Sequence, residues 1–312
     1  MSLPLTPTCH PQPRTIRSKP VSSYSSHFLV SKQLTSKHTN SMQTNSNVKL
    51  LAVLADPDDA EQSEYRFLVD DAHVRYVTLD GGLISGVDRT YAPVLLSQLP
   101  PFPPGDWNEG RVGKDERTGE PCFCETRRSS LPGIGDVWHK TMIDHLELHQ
   151  LDRVRQTLYR VTHPSFDRPV LAKFAQFPWE IPYFAAETTS YEWIHGRGIG
   201  PAFLGHIHEN GRVIGFLIEE VPDARTAEPD DLAACQRSLQ KLHELGILHG
   251  DINKHNFLIR GGDGEAVLID FETAHKCTDQ ELLDAEYKHL QDSLADTSGR
   301  GGAGMASDSS SD

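Results

Sequence analysis

Between residues 249 and 270 the chain gathers side chains whose types and spacing suit one kind of chemistry. His249, Asp251 and Asn256 lie in the stretch LHELGILHGDINKHNFLI, and Asp270 follows in VLIDFE. The segment NFLIRGGDGEAVLIDF predicts a β-hairpin with its turn at 261–264, because two short apolar runs flank a Gly-rich link. Asn256 then opens the first strand and Asp270 closes the second, so antiparallel pairing brings an amide and a carboxylate to the same end. Two hard oxygen donors suit Mg²⁺, which takes one or two protein groups and completes its shell with phosphate oxygens and water. Asp251, on the loop entering the strand, falls beside that position, where it can orient a hydroxyl and accept its proton. Phosphoryl transfer asks little more of a protein than such positioning and charge neutralisation. The plainer alternative is that these residues serve as turns and caps, for which Asp and Asn are common choices. His249 reads as a structural hydrogen-bonding residue that braces the loop.

The elements that must hold these groups are predicted over 138–292, a compact α/β unit. QTLYRVTHPSFDRPVLAKFA reads as two strands around a Pro-bearing turn, and AFLGHIHENGRVIGFLIEEV as a hairpin with Asn210-Gly211 at its tip. AAETTSYEWIHGRGIGP reads as a helix with Phe184, Glu187, Tyr191 and Ile194 on one face. DDLAACQRSLQKLHELG places Leu232, Cys235, Leu239 and Leu242 at helical spacing, with Asp230 or Asp231 available to cap its start and Gly246 to stop it.

His249-x-Asp251-x-x-x-x-Asn256, followed by Leu268-Ile269-Asp270-Phe271-Glu272, resembles the catalytic loop and metal-binding motif of the protein kinase-like superfamily. The likeness continues upstream in the expected order. Val170-Leu171-Ala172-Lys173 resembles the strand that carries the phosphate-binding lysine, Glu187 matches the glutamate that pairs with it, and IEEV, with Glu219 and Val221, sits where the hinge between lobes would be. The branch it is most similar to is the minimal one: aminoglycoside phosphotransferase-like, RIO-like and lipopolysaccharide-kinase-like proteins, together with small fungal kinase-like proteins.

The resemblance implies an α+β, two-lobed kinase-like fold, with an N-lobe over about 138–218 and a truncated C-lobe over about 219–292. It also implies ATP and Mg²⁺ as cofactors and a hydroxyl of a small molecule or protein as acceptor. Lys173 would hold the α- and β-phosphates, Glu187 would fix its ammonium, Asn256 and Asp270 would hold Mg²⁺, Asp251 would be catalytic, and Lys254 would reach the γ-phosphate. Lys173 also fits an exposed strand lysine, and Glu192 competes with Glu187 for the pairing.

Several positions depart from the pattern. No glycine occurs between Gly135 and Gly196, so the glycine-rich loop that lets backbone approach phosphates is missing. Gly250 stands where regulated protein kinases have an arginine, which argues against switching by activation-loop phosphorylation. Glu272 replaces the glycine of Asp-Phe-Gly and adds negative charge beside the metal position. These departures motivate the alternative of a pseudokinase that acts as a nucleotide- or protein-binding module.

Composition bounds the rest. The chain has 312 residues, 37% of them hydrophobic and 24% charged, which is ordinary for a globular protein. A net charge of -14 argues against a general nucleic-acid binder, because phosphate backbones are met by clustered Lys and Arg. No apolar run is long enough to span a membrane. The 5 scattered cysteines do not read as a disulfide framework, so a reducing, cytoplasmic setting is expected. Cys122 and Cys124, without a second matched pair, are too few for a zinc site.

Residues 1–50 lack Asp and Glu and are rich in Ser, Thr and Pro; they read as a disordered basic extension, with a mitochondrial presequence as the rival reading. A small strand-rich segment is expected over 51–100 with a turn near Asp80-Gly81-Gly82, a linker over 101–137, and a disordered Gly/Ser tail over 293–312.

Overall fold

The structure, a computed structural model, describes residues 45–155 and 157–298. Residues 1–44 and those beyond 298 lie outside the described residues, and with them most of the disordered extension expected over 1–50 and of the tail expected over 293–312. At their inner margins the expectation is corrected, since a strand begins at Val48 and a helix runs to Ala295. The described residues form a mixed α+β protein with two larger sheets and two small ones.

The first sheet runs in the order β1 (Val48–Ala55), β2 (Ser63–Val69), β3 (His73–Leu79), β4 (Glu109–Lys114) and β5 (Pro121–Arg127). Helix α1 (Ala92–Gln98) belongs to the connection between β3 and β4, which are parallel, while every other neighbouring pair is antiparallel. Alternation sorts the faces. Tyr65, Phe67, Val77, Leu79 and Val112 turn to a core shared with Leu95 of α1 and with Trp107. The β2–β3 turn is made by Asp70 and Asp71, both with φ of 54°, the left-handed geometry a tight hairpin requires.

This sheet corrects two expectations. Residues 109–127, expected within a linker, form two strands, and 92–98, expected to be strand-like, form a helix. The strands went unseen because β4 carries two glycines and β5 is a half-exposed edge strand, so neither shows a clear apolar alternation.

The second sheet has the order β6 (Met142–Asp144), β10 (Phe203–Glu209), β11 (Arg212–Glu219), β9 (Val170–Phe174), β8 (Leu158–Thr162) and β7 (His149–Arg155). The β10–β11 hairpin turns at Asn210-Gly211 with positive φ at both residues, as the sequence pattern suggested. Helix α2 (Ile181–Ile194) buries Phe184, Glu187, Tyr191 and Ile194, the face expected from periodicity.

Beyond β11 come β12 (Arg225–Thr226), α3 (Leu232–His243), β13 (Ile247–Leu248), β14 (Phe257–Ile259), β15 (Ala266–Leu268), β16 (His275–Lys276) and α4 (Gln280–Ala295). β14 and β15 pair antiparallel as the hairpin expectation required, Phe257 opposite Leu268, and β12 extends them. Helix α3 buries Cys235, Leu239 and Leu242 and is followed by a left-handed Gly246. One continuous core joins the second sheet, α2, α3, the β14–β15 hairpin and Leu290 and Leu294 of α4.

Candidate active site

Lys173 lies in β9, a central strand flanked by β8 and β11. Gly215 permits the close approach of β11: a Cβ there would stand 2.3 Å from the Lys173 carbonyl oxygen. The lysine side chain is 16% exposed, and its Nζ lies 2.7 Å from Glu187 Oε2 on α2 and 2.7 Å from Asp270 Oδ1. The competing Glu192 points outward and is exposed.

Asp270 follows β15 with φ 67° and ψ 62°, a left-handed conformation that Asp tolerates better than most residues. The next residue, Phe271, is fully buried and packs edge-on to Tyr191 of α2, with ring centroids 5.3 Å apart. Asp270 and α2 are thereby tied together through their aromatic neighbours, and the twist in the backbone frees the carboxylate to face Lys173.

One ammonium between two carboxylates cannot serve both equally. Burial alone would disfavour the charge on Lys173, but Glu187 and Asp270 outweigh it and hold the ammonium protonated, above its ordinary range. Asp270 is held below the usual carboxylate range because Lys173 overcomes the burial penalty. Glu187 is pushed up to about 7, chiefly by burial, with the Asp270 charge adding to it. Glu272, next along the chain, is also raised by burial and then by the charges of Asp270 and Asp251.

Asp251 and Asn256 form the adjoining pair. The Asn256 amide nitrogen donates to the Asp251 carbonyl at 2.8 Å and to its Oδ2 at 3.2 Å, and Asn253 donates to the same Oδ2 at 3.3 Å. Asn256 is 1% exposed, at the entrance to β14, and its carbonyl accepts from the Ile269 N–H at 3.0 Å. That bond continues the ladder by one step and fixes Asn256 at the same end of the hairpin as Asp270.

The loop's backbone is held from α4. Glu286 accepts from the His249 N–H at 3.1 Å and the Gly250 N–H at 2.7 Å, and its Oε2 also meets His243 Nε2 at 2.7 Å. Gly250 has φ 82°, and a Cβ there would stand 3.0 Å from the Thr273 carbonyl oxygen, so the residue in the arginine's place is a backbone requirement. His249 is fully buried, and Nε2 donates to the Ile269 carbonyl at 3.1 Å; burial lowers its pKa and keeps it a neutral brace.

The remaining sequence candidates are less centred. Lys254 donates to the Asp296 carbonyl at 2.8 Å, beyond α4, so the structure gives it a backbone partner in place of an open approach to the site. Glu219 ends β11, gives its N–H to the Ala202 carbonyl, and lies 3.9 Å from Arg168; Val221 follows, half-buried. Two residues escaped sequence reasoning. Glu286 has only its regular spacing on a C-terminal helix to mark it. Arg155, at the end of β7, acts electrostatically on Asp270 and on His255 and lies in a hairpin whose role no residue pattern announced.

With this geometry in view, the comparisons with known proteins fall in one class. The model of the lipopolysaccharide kinase (Kdo/WaaP) family matches residues 219–300, which include Asp251, Asn256, Asp270 and Glu286. A probable bifunctional tRNA threonylcarbamoyladenosine biosynthesis protein of Methanothermobacter thermautotrophicus is 31% identical over 106 residues, covering 33% of this chain and 19% of that protein. The chain therefore spans about a fifth of the length of the curated relative it matches. Both bear out the resemblance to the protein kinase-like superfamily that the motifs carry.

Proposed function

We propose that the protein is an ATP- and Mg²⁺-dependent phosphotransferase with a two-lobed kinase-like arrangement and a shortened C-terminal lobe. The observation that carries the reading is the buried Lys173 ammonium held between Glu187 and Asp270, next to the Asp251–Asn256 pair. A buried cation fixed on a central strand is suited to the α- and β-phosphates of ATP.

The residues fit a phosphate-borne magnesium ion. Asp270 is kept ionised, its side chain is 28% exposed, and Lys173 engages Oδ1; the Asn256 amide nitrogen is turned to Asp251, which leaves the amide oxygen as its cation-facing end. Two protein groups are the number with which Mg²⁺ is commonly held when phosphate oxygens and water complete its shell. When bound, Mg²⁺ would neutralise charge on the phosphates. Asp251 orients the acceptor hydroxyl and takes its proton as the oxygen–phosphorus bond forms and the bond from the γ-phosphorus to ADP breaks. The acceptor is a small molecule or a protein. Among the described residues no helix is long and apolar enough to cross a membrane.

Calorimetric titration with ATP tests the reading, with and without Mg²⁺. Mg²⁺-dependent binding is expected. Asp251→Asn should keep that binding while transfer falls by about a hundredfold or more, the usual range for a lost general base; undiminished turnover would remove Asp251 from the mechanism. A pseudokinase reading, favoured by the glycine-free stretch 136–195 and by Glu272, gains if ATP fails to bind in either condition.

A further inference from the structure

We propose that the five-stranded first sheet positions the Lys173–Glu187 pair, and that Arg66 of β2 is the residue through which it acts. The inference rests on the reading of Lys173 as the phosphate-binding group.

A single connection, residues 175–180, joins β9 with its Lys173 to α2 with its Glu187. Part of it is held locally: the Ala175 N–H bonds the Ile214 carbonyl, and Glu180 Oε2 accepts from the N–H groups of Gln176 and Phe177 at 2.7 and 2.8 Å. Gln176 Nε2 also donates to the Tyr159 hydroxyl of β8 at 3.3 Å, and the first sheet supplies further contacts. Arg66 Nη1 donates to Gln176 Oε1 at 3.0 Å, and its guanidinium stands 5.9 Å from the ring centroid of Phe174, the neighbour of Lys173. Phe177 packs with Leu68, Val74 and Tyr76 of β2 and β3. Trp179, half-exposed, donates from Nε1 to Glu64 Oε2 at 3.2 Å.

Arg66 is 1% exposed, and its charge is met across the junction, by Glu209 of β10 at 2.7 Å. Tyr76 and Arg212 hold the same carboxylate. A guanidinium that has left water entirely must be paired, and here its charge partner, Glu209, belongs to the second sheet, so burying Arg66 and docking the first sheet are one event. The far half of α2 is fixed by Tyr191 against Phe271. Its near half packs Ile181 and Phe184 into the core of the second sheet, and the connection adds the hold of the first sheet. Loosening that brace lets the helix pivot about its far half and draws Glu187 away from Lys173.

The test uses the full-length chain with Arg66→Met, Arg66→Lys and Trp179→Ala, the last a half-exposed site outside the nucleotide machinery. Amide hydrogen exchange is followed over 176–187, with α3 as internal reference, alongside ATP affinity in Mg²⁺. For Arg66→Met, exchange over 176–187 should quicken and affinity fall, each by about tenfold, within the usual range for coupled sites, with α3 unchanged. Arg66→Lys should recover part of both, and Trp179→Ala should shift both in the same direction by less.

Unchanged exchange over 176–187, equal loosening of α3, or faster exchange at full affinity would each overturn the proposal. Should Arg66→Met fail to fold, Trp179→Ala decides it by the same criteria. Should the wild-type chain bind no ATP, the phosphate-binding reading fails and the exchange comparison alone decides whether the sheet braces α2.

Discussion

At Lys173 the competition between two carboxylates has a consequence in pH. Glu187, pushed up to about 7 from an ordinary 4.5, holds its proton more tightly in the folded protein than in the unfolded chain. Its contribution to stability is therefore full below about 4.5 and is lost as pH rises towards 7. Glu187→Gln removes that dependence, so wild type should lose stability relative to the variant between pH 5 and 8 in urea unfolding; the opposite trend would mean that Lys173 holds Glu187 down and that Asp270 is the weaker partner. The pairing itself was partly legible in the sequence, because Glu187 shares a helical face with Phe184 and Tyr191 while Glu192 does not. The third member of the cluster, Asp270, was expected from the sequence only as a candidate metal ligand. Its contact with Lys173 spans 97 residues, and no local pattern reports such a distance.

At the scale of elements, α4 acts on the loop that carries Asp251 through one carboxylate. Glu286 serves the His249 and Gly250 amides and His243, and these together hold its pKa below the ordinary value despite burial. Glutamine in its place offers one accepting oxygen and an NH₂ that faces donors. Glu286→Gln should therefore cost about 1–3 kcal/mol, the range for an unmet buried polar group, with faster exchange at the Gly250 amide. Unchanged unfolding and exchange would show that the loop holds its own shape. Hairpins and helix faces near the site were readable because their periods, two and 3.6, are local properties of the chain. Glu286 was not, since its loop partners lie 36 and 37 residues away. The β4–β5 pair was hidden for a different reason: an edge strand with one face in solvent has little apolar pattern to show.

For the whole molecule, the junction between the two large sheets holds a buried polar cluster beside its apolar contacts, and that cluster makes it sensitive to acid. His145 lies there with Arg66, whose Nη2 is 3.3 Å from its Nε2, and it also faces Glu209, Asp144 and His208. Burial, with the Arg66 charge second, lowers its pKa to about 4 against an ordinary 6.5. The unfolded chain thus binds a proton that the folded protein refuses between those values, and stability present above 6.5 is lost as pH falls towards 4. His206, fully buried and accepting the His139 N–H on Nε2, is lowered to about 4 by burial and then by His139, so it adds a second contribution of the same sign. Glu209, held below its ordinary value by Arg66 and Arg212 against the burial penalty, gives way lower still as it protonates. Each histidine should lower the unfolding free energy by up to about 3 kcal/mol between pH 6.5 and 4. Glu187, whose contribution grows as pH falls from 7, offsets about one of the two, so the net loss is read most cleanly in a Glu187→Gln background. Of the two histidines, His145 is the one beside Arg66 at the junction. If acid loosens the docking of the first sheet specifically, His145→Gln should flatten its share of the slope and retain protection of residues 63–79 at pH 5. A slope unchanged by that substitution would assign the acid response to the second sheet and its core, with His206 the group that triggers it.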